Sequence, residues 1–108
     1  MTVTNVREVF DKVAENFNAR AAKALDAIFQ FDISGEGGGN WYVEVKDETC
    51  RVGVGSHSDP TVCLSMSDET WLAVVNRELN AVQAFMTGKL KVRGNIMLAQ
   101  RIPELFSF

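Results

Sequence analysis

The sequence predicts an α+β fold in which five strands form one mostly antiparallel sheet and about five helices cover one face of it. Apolar residues recur at every second position in five short segments, which is typical of strands with one buried face. In the flanking segments they recur at three- and four-residue spacing, which indicates amphipathic helices. A chain of 108 residues is the size of one domain, so we expect a single domain over residues 1–108.

The chain is predicted to begin with two helices. Asn5 is a suitable N-cap for the first helix, with Glu8 three positions on. Its apolar positions follow at helical spacing: Val6, Val9, Phe10, Val13 and Phe17. Asn18 permits a break, and the alanine-rich segment 19–25 then predicts a second short helix.

Alternating apolar and polar residues predict four strands in the next part of the chain. They are predicted over Ala27 to Ile33, Trp41 to Lys46, Cys50 to Val54 and Val62 to Ser67. The glycine-rich segment 35–40 joins the first two strands, which predicts a hairpin. A phosphate-binding loop is disfavoured there, because such a loop opens a helix and ends in Lys followed by Ser or Thr.

The last part of the chain combines helices with a fifth strand. Ser67 is predicted to cap a helix that buries Trp71, Leu72, Val75 and Leu79. Val82, Phe85 and Met86 then form an apolar helical turn, whose spacing predicts that their face is buried. A strand over Lys89 to Arg93 follows and points Leu90 and Val92 inward. Gly94 and Asn95 open the last helix, whose apolar face is Leu98, Ile102, Leu105 and Phe106. Pro103 predicts a kink in that helix.

The run Ala84 to Gly94, AFMTGKLKVRG, resembles the signature of the sterol carrier protein type 2 family, which shows an F-M-x-G-K-L-K-V-x-G core and a helix ending in Leu-Phe. Leu105 and Phe106 keep that ending. Two further stretches agree with the family: Gln30 to Gly35 followed by Trp41 and Tyr42, and Leu64 to Glu69. The chain has Asn95 where family members commonly have Asp. The resemblance covers about Val6 to Phe106.

This resemblance implies a non-catalytic carrier whose sheet and helices enclose an apolar cavity for a sterol, a fatty acid or a fatty acyl-CoA. The cavity-lining residues that we expect are Met66, Trp71, Val75, Phe85, Met86, Leu90, Val92, Met97, Leu98, Ile102, Leu105 and Phe106. Methionine and aromatic side chains suit a site that adapts to variable apolar shapes. The spacing of these residues by itself predicts an ordinary core, and only the resemblance favours a cavity.

Two alternatives stay open at the level of the sequence. The chain is either a carrier or an accessory module that presents a lipid or isoprenoid-quinone intermediate to partner enzymes, or that dimerises through its apolar face. The cationic residues Lys89, Lys91, Arg93 and Arg101 form either a rim for an anionic head group or a solvated strand face. The second reading of these cations is favoured, because lysines commonly protect the edge of a sheet.

Composition restricts the classes of partner. A net charge of −3 disfavours nucleic acid, because phosphate binding needs a cationic surface. The longest apolar run, Trp71 to Val75, is too short to span a membrane, although transient contact with a membrane or a partner enzyme fits the composition. The first residues do not resemble a signal peptide, so we expect a cytoplasmic protein.

We expect no catalytic residue, metal or cofactor. His57 lies in a polar loop with no partner at a recognised spacing, and we interpret it as a solvated side chain. The acidic pairs Asp47-Glu48 and Asp68-Glu69 are explained by a turn and by a helix N-terminus. Cys50 and Cys63 are interpreted as reduced core thiols.

Overall fold

The computed structural model describes residues 6–11, 17–23, 25–76, 78–101 and 105. The helices are α1 (Val6–Asp11), α2 (Asp68–Val75), α3 (Ala81–Met86) and α4 (Ile96–Gln100). The strands are β1 (Ala27–Ser34), β2 (Gly39–Lys46), β3 (Thr49–Val54), β4 (Val62–Ser67) and β5 (Leu90–Gly94). Predictions made for Asn5, Val13, Ile102, Pro103 and Phe106 lie outside the described residues.

The five strands form one sheet in the order β3-β2-β1-β4-β5. β1 runs antiparallel to β2 and parallel to β4, while the β2–β3 and β4–β5 pairs are antiparallel. The segment 35–38 turns β1 back onto β2, as the glycine-rich sequence predicted. The α+β fold with a mostly antiparallel five-stranded sheet is therefore confirmed.

The sheet has one apolar face, which we call the inner face, and one mainly polar face, the outer face. The register places Phe29 beside Val43 and Val62, so the predicted alternation brings the apolar residues of all strands to the same side. The inner-face residues that are buried are Ala27, Phe29, Phe31, Ile33, Val43, Val45, Val62, Leu64, Met66 and Leu90. Buried side chains of α1 and α2 pack against the same cluster.

The predicted helix over residues 19–25 is wrong for the part that the structure describes. Residues 19–23 form turns in which the N–H groups of Ala22 and Lys23 donate to carbonyls three residues earlier. An α-helix would use the carbonyl four residues earlier. The Asn18 side chain accepts hydrogen bonds from the backbone of Arg20 and Ala21, which tightens the first turn.

The structure also corrects the predicted burial of α3. Val82, Phe85 and Met86 are all exposed, and the exposed fraction of Met86 is 79%. Ala84 is fully buried instead, and its carbonyl accepts a hydrogen bond from the N–H of Lys89, where the chain turns into β5. A helix of six residues can place only a narrow face against the sheet, and here the smallest side chain occupies that face.

Each of the three later helices has an N-cap residue whose side chain accepts hydrogen bonds from the first turn. The Ser67 hydroxyl accepts from the N–H of Thr70 at 3.1 Å, as predicted, and Asn80 caps α3 through the N–H of Val82 at 2.8 Å. Asn95 accepts from two N–H groups of α4. Its amide oxygen thus fills the capping role that a carboxylate would fill in relatives with Asp at this position. Gly94 before it has φ of 88°, a conformation that favours glycine.

Candidate functional site

The structure divides the predicted cavity residues into two groups. One group belongs to the buried cluster between the inner face and the helices: Met66, Trp71, Val75, Leu90 and Leu105, with Val92 and Leu98 packed against it and half-buried. The other group is exposed at the surface: Phe85, Met86 and Met97. Whether either group contacts a lipid stays a prediction, and Ile102 and Phe106 lie outside the described residues.

Stacked aromatic rings form the centre of the buried cluster. The Phe10 ring lies between Trp41, at a centroid distance of 4.7 Å, and Trp71, at 5.4 Å, with interplanar angles of 9° and 10°. Phe31 meets the edge of Phe10 at 5.3 Å. Aromatic pairs of this geometry are worth about 0.5–1.5 kcal/mol beyond their buried area. This arrangement fixes α1 and α2 over the β1–β2 half of the sheet.

The other half of the inner face lies under shorter elements. α4 packs on β4 and β5, and its half-buried Leu98 and Ala99 contact the core cluster. On the edge strand, Leu90 is buried and Val92 is half-buried. Met97, the residue before Leu98 on α4, has an exposed fraction of 75%. β5 and α4 thus carry buried, half-buried and exposed apolar side chains at this edge of the sheet, which we call the apolar edge.

The four predicted rim residues do not form one rim. Lys91 and Arg93 project from the outer face of β5, where they lie opposite Ser65 and Cys63 of β4. Lys89 lies two positions before Lys91, directly before the first residue of β5, and is exposed. The Arg101 guanidinium lies on the helix side and donates to the carbonyl of Ala21. The predicted cation cluster is therefore reduced to the three residues of the outer face.

A polar network covers the middle of the outer face, and the sequence reasoning missed it. The Gln30 side chain is only 3% exposed. Its amide nitrogen donates to the carboxylate of Asp32 and to the carbonyls of Trp41 and Gly55, and its amide oxygen accepts from the N–H of His57 at 2.8 Å. The signal was a pair of polar residues, Gln30 and Asp32, within the strand that became central.

His57 is not the freely solvated side chain that the sequence indicated. The imidazole is half-buried against the edge of the Tyr42 ring, at 5.2 Å between centroids. Its Nδ1 accepts from the N–H of Asp59, and Nε2 lies 3.5 Å from the Glu44 carboxylate. Nε2 thus links the loop to β2, whereas the bond to Nδ1 lies within the loop itself. This arrangement explains the histidine structurally.

The two cysteines are free, as predicted, but only one faces the core. Cys50 lies on the inner face opposite Val45, and burial raises the pKa of its thiol. Cys63 lies on the outer face, where its thiol donates to the Asp32 carboxylate at 3.3 Å. Burial raises the pKa of the Cys63 thiol, and the hydrogen bond and charge of Asp32 raise it further. The core assignment of Cys63 was therefore wrong.

Two negative findings concern the described part of the chain. No group of three or more His, Cys, Asp or Glu side chains in it is arranged to hold a metal ion. None of the helices found there is long and apolar enough to cross a membrane.

Comparison with known families matches residues 8–107 to the SCP-2 sterol transfer family. This chain belongs to that family. The resemblance drawn from residues 84–94 is therefore confirmed, and the fold is shared with solved members. Sterol carrier protein 2 of Yarrowia lipolytica, in an apo form, is 33% identical and superposes with a TM-score of 0.75 over 89% of this chain and 84% of that chain.

Two further proteins are similar to this chain, one of about the same length and one much longer. Sterol carrier protein-2 of Aedes aegypti, in complex with palmitate, has a TM-score of 0.60 over 96% of this chain and 94% of that chain; at 21% identity this likeness shows the fold alone. The hydroxysteroid dehydrogenase-like protein 2 of Rattus norvegicus is 37% identical over 94% of this chain. The chain spans only 20% of the length of that relative.

Proposed function

We propose that this chain binds an apolar lipid, namely a sterol, a fatty acid or a fatty acyl-CoA, and transfers it without catalysing a reaction. Membership of the SCP-2 sterol transfer family supports this proposal, and so does the complex of an Aedes aegypti member of the same fold with palmitate. The structural observation that carries it is the apolar edge of β5 and α4. This edge comprises the buried Leu90, the half-buried Val92 and Leu98 and the exposed Met97.

The proposed ligand lies between the β4–β5 half of the inner face and α4. There Met66 and Leu90 form the sheet side of the apolar layer, and Leu98 lies on the helix side. Apolar surface removed from water contributes roughly 25 cal/mol per Å², less the free energy needed to order the ligand. Affinity of this origin depends on buried area more than on directional contacts, so we expect broad ligand specificity.

The inner face supports a non-catalytic role. In the described strands, Cys50 is the one ionisable side chain on that face. Because burial raises the pKa of its thiol, little thiolate is present at neutral pH. General acid–base or nucleophilic chemistry on a buried lipid requires a suitable group close to it. We therefore assign to this chain the binding of the lipid, and to another protein or domain any chemistry on that lipid.

A second candidate function is that of an accessory module, which presents a lipid or isoprenoid-quinone intermediate to an enzyme or dimerises through an apolar surface. Exposed apolar side chains on α3 and α4 favour it: Val82, Phe85, Met86, Ile96 and Met97. Apolar patches of this kind commonly mark interaction surfaces. The rat relative carries a matching segment within a much longer chain with a dehydrogenase-like name, which agrees with service to an enzyme.

The experiment that tests lipid binding is a matched pair of enlargements, Val92→Phe and Val82→Phe. Val92 is half-buried beside the core, whereas Val82 is exposed on α3. The phenyl ring of a phenylalanine at residue 92 would occupy the space proposed for the lipid. We therefore expect V92F to bind palmitate or cholesterol at least about tenfold more weakly, and V82F to bind as the original chain does. Binding is measured by displacement of a fluorescent fatty acid.

The unfolding temperature of each variant shows whether it is folded. If V92F does not fold, Leu98→Phe fills the same space from the helix side and replaces it. Equal lipid affinity of the folded V92F, L98F and V82F variants would contradict the proposed location of the ligand. Saturable dimerisation that V82F abolishes, without lipid binding by any variant, would favour the accessory module.

A further inference from the structure

The outer face carries a pocket of about 410 Å³ beside the ends of β1 and β4, lined by both polar and apolar residues. Its polar lining includes Asp32, Asn40, Ser65, Ser67, Lys89 and Lys91. Asn40, Asp32, Ser65 and Lys91 are direct neighbours across β2, β1, β4 and β5, so they form one row on the sheet. The volume lies within the range of about 300–1,000 Å³ that small-ligand pockets occupy.

Hydrogen bonds from neighbouring side chains fix the position of Asp32, the acidic member of this row. The Asp32 carboxylate accepts from the Gln30 amide at 3.1 Å and from the Cys63 thiol at 3.3 Å. Gln30 is buried and is itself held by the backbone of Trp41, Gly55 and His57. The Asn40 amide nitrogen also donates to Asp32, at 3.3 Å. All three donors are neutral, and no cation pairs with Asp32 among the residues that the structure describes. These hydrogen bonds therefore fix the position of the carboxylate on the outer face.

The other end of the row is cationic. Lys89 and Lys91 are exposed and are separated by two positions, and neither forms an ion pair within the described ranges. Two strand spacings separate Asp32 on β1 from Lys91 on β5, which is roughly 10 Å between backbones. The flexible lysine side chains can reach back over the pocket from that distance. Ser65 lies between the two ends of the row.

We propose that this pocket binds a small phosphate monoester or phosphodiester that also carries hydroxyl or ammonium donors. Lys89 and Lys91 hold the phosphate by charge-assisted hydrogen bonds, and Asp32 accepts from the hydroxyl or ammonium groups. A simple anion satisfies only the lysine end and is repelled by Asp32. A simple cation or a neutral polyol satisfies only the Asp32 end. The ligand that fits both ends is therefore amphoteric or polyhydroxylated, such as glycerol 3-phosphate or the head group of phosphatidylglycerol.

The pocket lies on the face of the sheet opposite to the proposed lipid layer, so this inference goes beyond the proposed function and does not depend on it. Failure of phosphate binding would leave the proposed lipid site at the apolar edge of β5 and α4 unaffected. Conversely, a chain that binds no lipid in its interior can still bind glycerol 3-phosphate on its outer face.

The test follows backbone amide shifts by NMR while glycerol 3-phosphate is added, with inorganic phosphate as the comparison probe. We expect saturable shifts at Asp32, Ser65 and Lys91. The double variant Lys89→Ala with Lys91→Ala should weaken binding at least about tenfold. Lys46→Ala removes an exposed lysine of β2 outside this pocket and should leave binding unchanged. An unfolding temperature measured for each variant confirms that it is folded.

The Asp32→Asn variant separates this site from a nonspecific cationic surface. Loss of the negative charge should improve binding of inorganic phosphate and reduce the preference for glycerol 3-phosphate over phosphate. A preference that D32N leaves unchanged would overturn the role of Asp32. Absence of saturable shifts, or equal weakening by K46A and the double lysine variant, would overturn the pocket itself.

Vesicles distinguish the two sources of the ligand. If binding to vesicles that contain phosphatidylglycerol is competed by glycerol 3-phosphate and lost in the double lysine variant, the pocket takes a lipid head group. If glycerol 3-phosphate binds and such vesicles do not compete, the pocket takes a soluble phosphate ester. Vesicles of phosphatidylcholine alone provide the control for nonspecific adsorption. Either vesicle result supports a phosphate site. The NMR titration decides whether that site exists.

Discussion

The ring of Phe10 is stacked on that of Trp71, with 5.4 Å between the centroids and 10° between the planes. The opposite face of Phe10 stacks on Trp41. Because Phe10 lies on α1, Trp71 on α2 and Trp41 on β2, one side chain connects three elements of the fold. α2 has eight residues, so its position depends on this packing more than on helix propensity.

Replacement of this central ring should therefore be strongly destabilising. We expect Phe10→Ala to lower the free energy of unfolding by about 3–5 kcal/mol, since it removes a buried aromatic side chain and leaves a cavity. The measurement is urea denaturation followed by tryptophan fluorescence. Val82→Ala removes an exposed apolar side chain and should change the free energy by less than about 0.5 kcal/mol. Similar losses in the two variants would contradict the packing described.

The Tyr42 ring covers Gly53 across the β2–β3 pair, and a Cβ atom at residue 53 would overlap that ring. Gly53→Ala should lower the free energy of unfolding by about 1–3 kcal/mol, because the ring must move away from its contact with His57. In a Tyr42→Ala background the same change should have little effect. The measurement is a double-mutant cycle from denaturation curves. Additive effects of the two substitutions would show that the ring does not limit residue 53.

The Cys63 thiol should become more reactive when Asp32 loses its charge. Burial and Asp32 both raise the pKa of this thiol, so Asp32→Asn should lower the pKa, although burial keeps it above its ordinary value. More thiolate is then present at a given mildly alkaline pH, and alkylation by iodoacetamide should be faster. Peptide mass spectrometry separates Cys63 from Cys50, whose pKa is raised by burial alone and whose rate should not change. An unchanged rate at Cys63 would contradict the coupling.

The sheet was predictable from sequence because alternation reports burial directly. Phe29, Phe31 and Ile33 follow the period of a strand, and each is buried on the inner face. The family signature in residues 84–94 added what alternation does not contain, namely the expectation of a lipid. The N-caps Ser67 and Asn95 were also visible, because their side chains act locally.

The α3 helix and the outer-face network were not predictable in the same way. Apolar spacing in α3 gave the wrong buried face, because six residues define a stripe poorly and Ala84 does not stand out from its neighbours. The contacts of Gln30 with Gly55 and His57 join segments more than twenty residues apart, and no local pattern encodes such pairs. The division of the cations between two faces likewise depends on tertiary placement.

The most direct test of the lipid-carrier account is native mass spectrometry of the chain purified without detergent, followed by extraction and identification of any released molecule. The account predicts a bound sterol or acyl lipid in near-stoichiometric amount, with a higher unfolding temperature for the loaded chain, because a ligand specific to the folded state stabilises it. A mass without ligand, together with an unfolding temperature that palmitate and cholesterol leave unchanged, would contradict it.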